Sequence, residues 1–326
     1  MKTLHGLESI AAPLERSVLT IGNFDGVHRA HQQLLTLARS LAEETQGSVV
    51  VLTFEPHPLT IVSPAKAPPR LMPLEEKLRW LEAAGADITV LARSEPALLD
   101  LEAEEFIREV VRKRFNPAHI VEGPSFGFGR GRKGTPELLQ RVAGSFGCEV
   151  HIVGPVTIRV DTGEDLLVSS SLIRKLVVEG RVRRAAACLG RPYCLVGSVV
   201  EGDQRGRTIG FPTANVAVAD QLIPADAVYA GRAETGGASY ACAISIGNAP
   251  TFSGTQRRVE AHLLDFDGGE LYGAPIRIEI ERRIRGQRSF PSAEALAAQL
   301  SRDVESVRAG SNADDPKASE SGIRIS

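Results

Sequence analysis

The chain has 326 residues, with 38 Lys plus Arg against 40 Asp plus Glu and 43% hydrophobic residues. That length suits two domains of ordinary size, and the balanced charge argues against a generally basic nucleic-acid-binding surface. The apolar fraction excludes a largely disordered chain, and no apolar run approaches the roughly 20 residues that span a bilayer.

In chain order, SVLTIG (17–22) reads as a buried strand. A helical period begins at His28 and puts Leu34, Leu35, Ala38, Leu41 and Ala42 on one face. SVVVLTF (48–54) is a second β-branched strand, and LEEKLRWLEAAG (74–85) is an amphipathic helix ending at glycine. DITVL, a helix near 103–114, HIVEG, a helix near 136–145 and CEVHIV continue the alternation. This order predicts a parallel sheet covered on both faces, with ligands beyond the carboxyl ends of its strands. SSLIRKLVVEGRVRRAAACLG (170–190) reads as helical. After about Leu189, short β-branched runs broken by Gly and Pro predict an antiparallel barrel or sandwich, followed by a helix over 293–309. The polar residues after Gly310 read as a disordered tail. Cys148, Cys188, Cys194 and Cys242 have no zinc or redox spacing, and the N-terminus has no unbroken apolar core of signal-peptide length. Reduced core thiols in a cytoplasmic protein are therefore expected. His57, His119, His151 and His262 lack metal-ligand spacing.

Chemistry concentrates in a few segments. In TIGNFDGVHRAHQQLL (20–35), a strand enters a turn holding Gly22, Phe24, Asp25 and Gly26, then a helix with His28 and His31 in its first turn. Exposed N–H groups and the positive helix end suit phosphate, and two imidazoles there can stabilise charge in phosphoryl transfer. H-x-x-H alone also fits a surface helix with two incidental histidines; the strand and the glycine-flanked turn favour phosphate. VEGPSFGFGRGRKG (121–134) is a glycine-rich basic loop that fits a phosphate cradle or a solvated loop equally. In SSSLIR (169–174), hydroxyls at a helix start can cap N–H groups or meet phosphate, and Arg174 can grip a pyrophosphate bidentately. GSVVEGDQRGRTIGFPTANV (197–216) is the most specific stretch, with glycines that let backbone approach phosphates closely.

These segments resemble, in order, the motifs of bacterial bifunctional riboflavin kinase/FAD synthetases. The first resembles the HxGH nucleotidyltransferase signature in its G-x-F-D-G-x-H form, with Ala30 where the family has glycine. TFEPHP (53–58) resembles the F-x-P-H-P loop, and 121–134 resembles V-x-G-x-x-F-x-F-G-x-x-R-x-G. SSSLIR resembles S-S-T-x-I-R, and 197–216 resembles the riboflavin kinase segment ending in P-T-A-N. The resemblance implies an α/β, Rossmann-like nucleotidyltransferase domain over 1–187. It implies a six-stranded antiparallel riboflavin-kinase-like β-barrel with a terminal helix over 188–310, and 311–326 would be a tail. It further implies ATP-dependent phosphorylation of riboflavin to FMN by the second domain and adenylylation of FMN to FAD by the first. His28, His31 and Arg174 would serve adenylyl transfer, and Glu260 would be the kinase base. Gly22, Phe24, Asp25, Gly26, Ser170, Ser171, Gly202, Gly206, Arg207, Gly210 and Pro212 would meet nucleotide. Phe54, Pro56, Ser125, Phe126, Phe128, Arg285 and Phe290 would lie by the flavin, and Thr213 and Asn215 would hold Mg²⁺ with ATP. The partners would be riboflavin, FMN and ATP, with neither nucleic acid nor membrane. Two alternatives share these motifs: a riboflavin kinase with an inactive first domain, and a non-catalytic flavin-binding or flavin-sensing protein.

Overall fold

The structure, a computed structural model, describes residues 1–14, 16–160, 163–202, 210–251 and 254–311. The chain forms two compact units: Met1–Pro68 with Leu74–Val156, and Pro69–Pro73 with the chain from Thr157 onward.

The first unit is built on β1 (Lys2–His5), β2 (Val18–Ile21), β3 (Val49–Glu55), β4 (Ile88–Arg93), β5 (His119–Glu122) and β6 (Glu149–Ile152). Their order is β1-β4-β3-β2-β5-β6, and every neighbouring pair is parallel. β2 and the first five residues of β3 are buried, as strands covered on both faces must be. The crossovers carry α1 (Arg29–Glu44), α2 (Pro58–Val62), α3 (Leu74–Ala83), α4 (Pro96–Leu99), α5 (Ala103–Phe106) and α6 (Pro136–Gly144). Leu34, Leu35, Ala38 and Ala42 of α1 are buried, following the helical period of the sequence, while Leu41 is half-buried. The helix expected over 103–114 changes type part-way: α5 runs into a π-helical stretch, Ile107–Phe115, that stops at left-handed Asn116. β1 has no alternating pattern to betray it and exists by pairing Lys2–His5 with Ile88–Leu91.

In the second unit β9 (Tyr193–Val200), β10 (Ala214–Val218), β11 (Ala227–Thr235), β12 (Ala238–Thr251), β13 (Gly254–Leu263) and β14 (Pro275–Gly286) form a closed antiparallel barrel. Its order is β10-β13-β12-β11-β14-β9, so no sheet edge is left open. Alternate residues such as Ile244, Ile246, Val259, Ala261, Ile276, Ile278 and Ile280 fill the interior. A short hairpin, β7 (Thr157–Arg159) with β8 (Asp165–Leu167), precedes α7 (Ser170–Val178) and α8 (Val182–Leu189). The continuous helical reading over 170–190 is broken at Gly180, whose φ is 69°. The terminal helix α9 (Ala293–Ser311) seats Val307 beside Leu264 and Ala230.

The compact units divide at Val156/Thr157, apart from Pro69–Pro73. α8 packs on β9 and β14, and Ala225 N–H donates to the Val177 carbonyl at 3.3 Å, so both helices fold with the barrel. The segment Pro69–Pro73 does the same, since Leu222 N–H donates to the Arg70 carbonyl at 2.7 Å. Residues 312–326, most of the expected tail, lie outside the described residues.

Candidate active sites

In the first unit, β2 neighbours β3 on one side and β5 on the other, and the chain leaves these strands in opposite directions. That reversal opens a crevice beyond their carboxyl ends, where open α/β sheets bind ligands. The turn after β2 occupies it. Phe24, Gly26 and Val27 have φ of 48°, 89° and 36°. A β-branched residue at positive φ is strained, and such strain persists where surrounding structure overdetermines it. Here Phe24 and Val27 are buried, and Gln32 Nε2 donates to the Val27 carbonyl at 2.8 Å. The Asn23 carbonyl accepts from Thr53 Oγ1 at 3.2 Å and from Lys77 Nζ at 3.4 Å. Lys77 is buried and pairs with Glu55 at 3.8 Å, as a buried ammonium requires. Neither Thr53 nor Lys77 carries a motif that would reveal this from the sequence.

His28 is not inside the first turn of α1 but caps it. Its Nδ1 accepts from His31 N–H at 3.4 Å, so in the neutral ring Nε2 holds the proton. The His28 and His31 rings stack with centroids 3.6 Å apart and planes within 15°. Gly22 donates to the Leu52 carbonyl at 3.0 Å, and Asp25 is buried. Near the end of β3, Phe54 packs on the core, and just after it the Pro56 carbonyl accepts from Ser94 Oγ at 2.5 Å. His57, in the same loop, caps α2 by accepting from Leu59 N–H at 3.1 Å, and its Nε2 lies 3.1 Å from the Asn23 carboxamide.

The 121–134 loop leaves β5 beside this turn. Phe128 and Gly134 pair through backbone bonds, and Gly129, at φ 68°, lies where a Cβ would come 2.7 Å from Ala103 Cα. Arg132 donates to the Ser125 carbonyl at 3.3 Å, and Arg130 pairs with Glu102. The Phe126 and Phe128 rings stack at 5.2 Å, but Phe128 also contacts Phe106 and is only 6% exposed. Its ring is a core residue, and Phe126 is the half-buried member of the pair.

Glu122 ends β5 in this crevice and is 2% exposed. One carboxyl oxygen accepts from Ile21 N–H at 2.6 Å, a bond β5 itself no longer supplies at that level. Burial pushes this carboxyl well above the usual carboxylate range, and the Ile21 bond only partly offsets that. The folded chain therefore holds a proton that the unfolded chain releases above about pH 4.3. Stability of the first unit is expected to fall as pH rises from there toward the folded value, and Glu122→Gln to flatten that decline. Thermal melts of both proteins across pH measure it; identical slopes would remove burial of Glu122 as the cause.

Ser169, not the following pair, caps α7, accepting from Leu172 N–H at 3.2 Å. Ser170 and Ser171 open the helix, and Arg174 Nε donates to the Pro69 carbonyl at 2.8 Å.

On the barrel, Glu260 pairs in register with Asn215 of β10 on one side and Ser245 of β12 on the other. Residues directly opposite share a face. Glu260 alternates with buried Val259 and Ala261, so this row stands on the outer face. Gly202 lies against it: a Cβ there would lie 1.9 Å from Asn215 Nδ2, so any larger residue would displace the Asn215 amide. Two residues along β13, His262 Nδ1 lies 2.7 Å from the Pro212 carbonyl, and its ring meets Phe211 edge-on at 5.5 Å. His262 thus ties the F-P-T-A-N segment to the strand carrying Glu260. Gly210 has φ 84°, and Pro212 and Thr213 are exposed. Gly206 and Arg207 lie outside the described residues.

A family model for FAD synthetase matches residues 10–170, and one for riboflavin kinase matches residues 189–310. The bifunctional riboflavin kinase/FMN adenylyltransferase of Escherichia coli (strain K12) is 36% identical, with 94% of this chain and 97% of that protein covered. The protein of the same name from Bacillus subtilis (strain 168) is 36% identical over 96% and 99%. This chain belongs to the bifunctional riboflavin kinase/FMN adenylyltransferase family. A crystal structure described as a macrolide-efflux protein from Streptococcus pneumoniae superposes with a TM-score of 0.83 at 32% identity, covering 94% of this chain and 99% of that one. Among the described residues no helix is long and apolar enough to cross a membrane.

Within this family frame, Arg285 and Phe290 were expected by the flavin. The structure shows Arg285 in an ion pair. Its guanidinium grips Asp303 of α9 bidentately, with Nη2 to Oδ2 at 2.7 Å, and the two side chains are 10% and 2% exposed. The Phe290 ring lies 5.7 Å from the guanidinium. Gln299 adds a bond to Asp303 at 2.8 Å. Breaking such a buried pair costs roughly 3–5 kcal/mol, so Arg285 fastens the terminal helix to β14. The cysteines are free; Cys148, Cys188 and Cys242 are core thiols as expected, whereas Cys194 is only half-buried, and burial pushes the Cys148 thiol up to about 12, which keeps it unreactive.

Proposed function

We propose that this chain phosphorylates riboflavin to FMN on its barrel and adenylylates FMN to FAD on its α/β unit. The observation that carries the reading is the cross-strand row Asn215–Glu260–Ser245 beneath Gly202, a carboxylate and a hard-oxygen amide under a glycine loop. Glu260 accepts the proton of the ribityl 5′-hydroxyl as that oxygen attacks the γ-phosphorus of ATP and ADP leaves. His262 and Gly202 hold the neighbouring segment and amide in place.

In the α/β unit the FMN phosphate attacks the α-phosphorus of ATP and pyrophosphate leaves, with no protein nucleophile. His28 and His31 donate to the phosphate oxygens as charge builds, and the strained Gly22–Gly26 turn presents backbone N–H groups. Phosphate contact is the proposed role of Ser170, Ser171 and Arg174, and flavin contact that of Phe54, Pro56, Ser125 and Phe126. Enzymes of this type use a divalent cation, and Mg²⁺ is the proposed one. The Thr213 hydroxyl and the Asn215 amide oxygen are hard donors that fit it, and Gly202 leaves the Asn215 amide its space. When bound, the ion neutralises phosphate charge. The catalytic division is proposed at 187/188, with 188–310 as the kinase.

Purified protein given riboflavin, ATP and Mg²⁺ is expected to form FMN and then FAD, followed by chromatography. FMN accumulating without FAD would leave a kinase alone. Flavin bound without turnover would leave a binding protein.

A further inference from the structure

We infer that His119, Glu149 and His151 form a binding site for a late first-row divalent cation of the Zn²⁺ class, at the amino end of the first unit's sheet. In sequence these residues have no ligand spacing. Register creates it. His119 opens β5 and Glu149 opens β6 directly opposite, while His151 pairs with Val121. Glu149 and His151 are two apart on one strand, so all three share a face.

Their ligand atoms converge within 4.8 Å of one another. His119 Nδ1 lies 3.2 Å from His151 Nε2. Zinc–nitrogen bonds of about 2.0–2.1 Å hold two imidazole nitrogens of a tetrahedral site roughly 3.3–3.4 Å apart. The Glu149 carboxylate straddles the pair, 3.7 Å from His119 and 3.9 Å from His151. Small side-chain rotations bring it to bonding distance, because Glu149 is 68% exposed. The imidazoles are not loose: their side chains are 16% and 23% exposed. Two imidazoles and one carboxylate suit zinc with water as a fourth ligand, and do not suit Mg²⁺, which takes oxygen donors. The site is therefore distinct in chemistry from the nucleotide-bound metal. It is also distinct in place, since the phosphate crevice lies at the other end of these strands. Glu122 is three residues along β5 from His119, roughly 10 Å at the strand rise.

The consequence is mechanical. Among the described residues β6 is a four-residue edge strand whose one strand partner is β5. A cation shared by His119 of β5 and Glu149 and His151 of β6 clamps that edge, and binding only the folded state it stabilises by mass action.

The test uses the full chain stripped with a chelator. Zn²⁺ titration by calorimetry, with Co²⁺ absorption as a second probe, is expected to show one site that excess Mg²⁺ does not displace. Zn²⁺ is expected to raise the melting temperature of the first unit. His119→Ala and His151→Ala are expected to weaken Zn²⁺ binding by at least the roughly 10–100-fold that even an outer-shell change costs. Glu149→Gln, at an exposed position, guards against a folding artefact and is expected to weaken binding as well. Both Mg²⁺-dependent activities are expected to stay unchanged in all three variants. No binding, or binding that all three variants leave intact, would overturn the inference, and neither outcome touches the flavin reading.

Discussion

Replacing Glu260 by glutamine is expected to lower FMN formation by roughly 10²–10⁴-fold, the usual worth of a positioned general base. The size of the glutamine matches the glutamate, so the cross-strand row with Asn215 and Ser245 keeps its packing. What is lost is the proton acceptor. The loss should appear in kcat more than in KM, because the carboxylate acts as the hydroxyl attacks and not when ATP binds. FAD formation from supplied FMN should be unaffected, since His28 and His31 lie in the other compact unit. Separate chromatographic assays of the two steps check this. A parallel fall in both steps, or no fall in either, would refute the division of labour.

The second large effect is expected at His28. His28→Asn should lower FAD formation by roughly 10²–10³-fold, the range for removing one preorganised donor, with FMN formation unchanged. Asparagine is the informative replacement. His28 caps α1 through Nδ1, and asparagine is among the best N-cap residues, so the helix keeps its acceptor while the imidazole is removed. His28→Ala would remove both and mix a capping loss of typically about 1 kcal/mol with the catalytic one. If His28→Asn keeps full FAD formation while His28→Ala loses it, the residue serves only as a cap.

Much of the fold was legible because it is local. The β-branched runs at 17–22 and 48–54 and the α1 period carry their structure in their own residues, and those two strands formed within a residue of expectation. The turn motifs were legible for the same reason: glycine spacing constrains backbone a few residues away. β1 was not, because its only signal is the partner strand β4. The helical reading of 170–190 missed its break, since Gly180 acts by a positive φ that the surrounding chain selects.

Side-chain roles divide along the same line. The buried partner of Arg285, Asp303, sits in a helix whose docking the sequence does not encode locally. Lys77, Glu122 and His262 bear on the two sites, yet each acts through a backbone group of a distant segment. The sequence by itself determined the chemistry available, two glycine-framed segments suited to phosphate with their histidines and one strand carboxylate, because those patterns are short-range. Only the tertiary structure decided which groups meet. Asn215 faces Glu260 across strands that two others separate along the chain, and His119 meets His151 through the pairing of β5 with β6. Such meetings depend on register and burial, and these are settled only when the whole sheet or barrel closes.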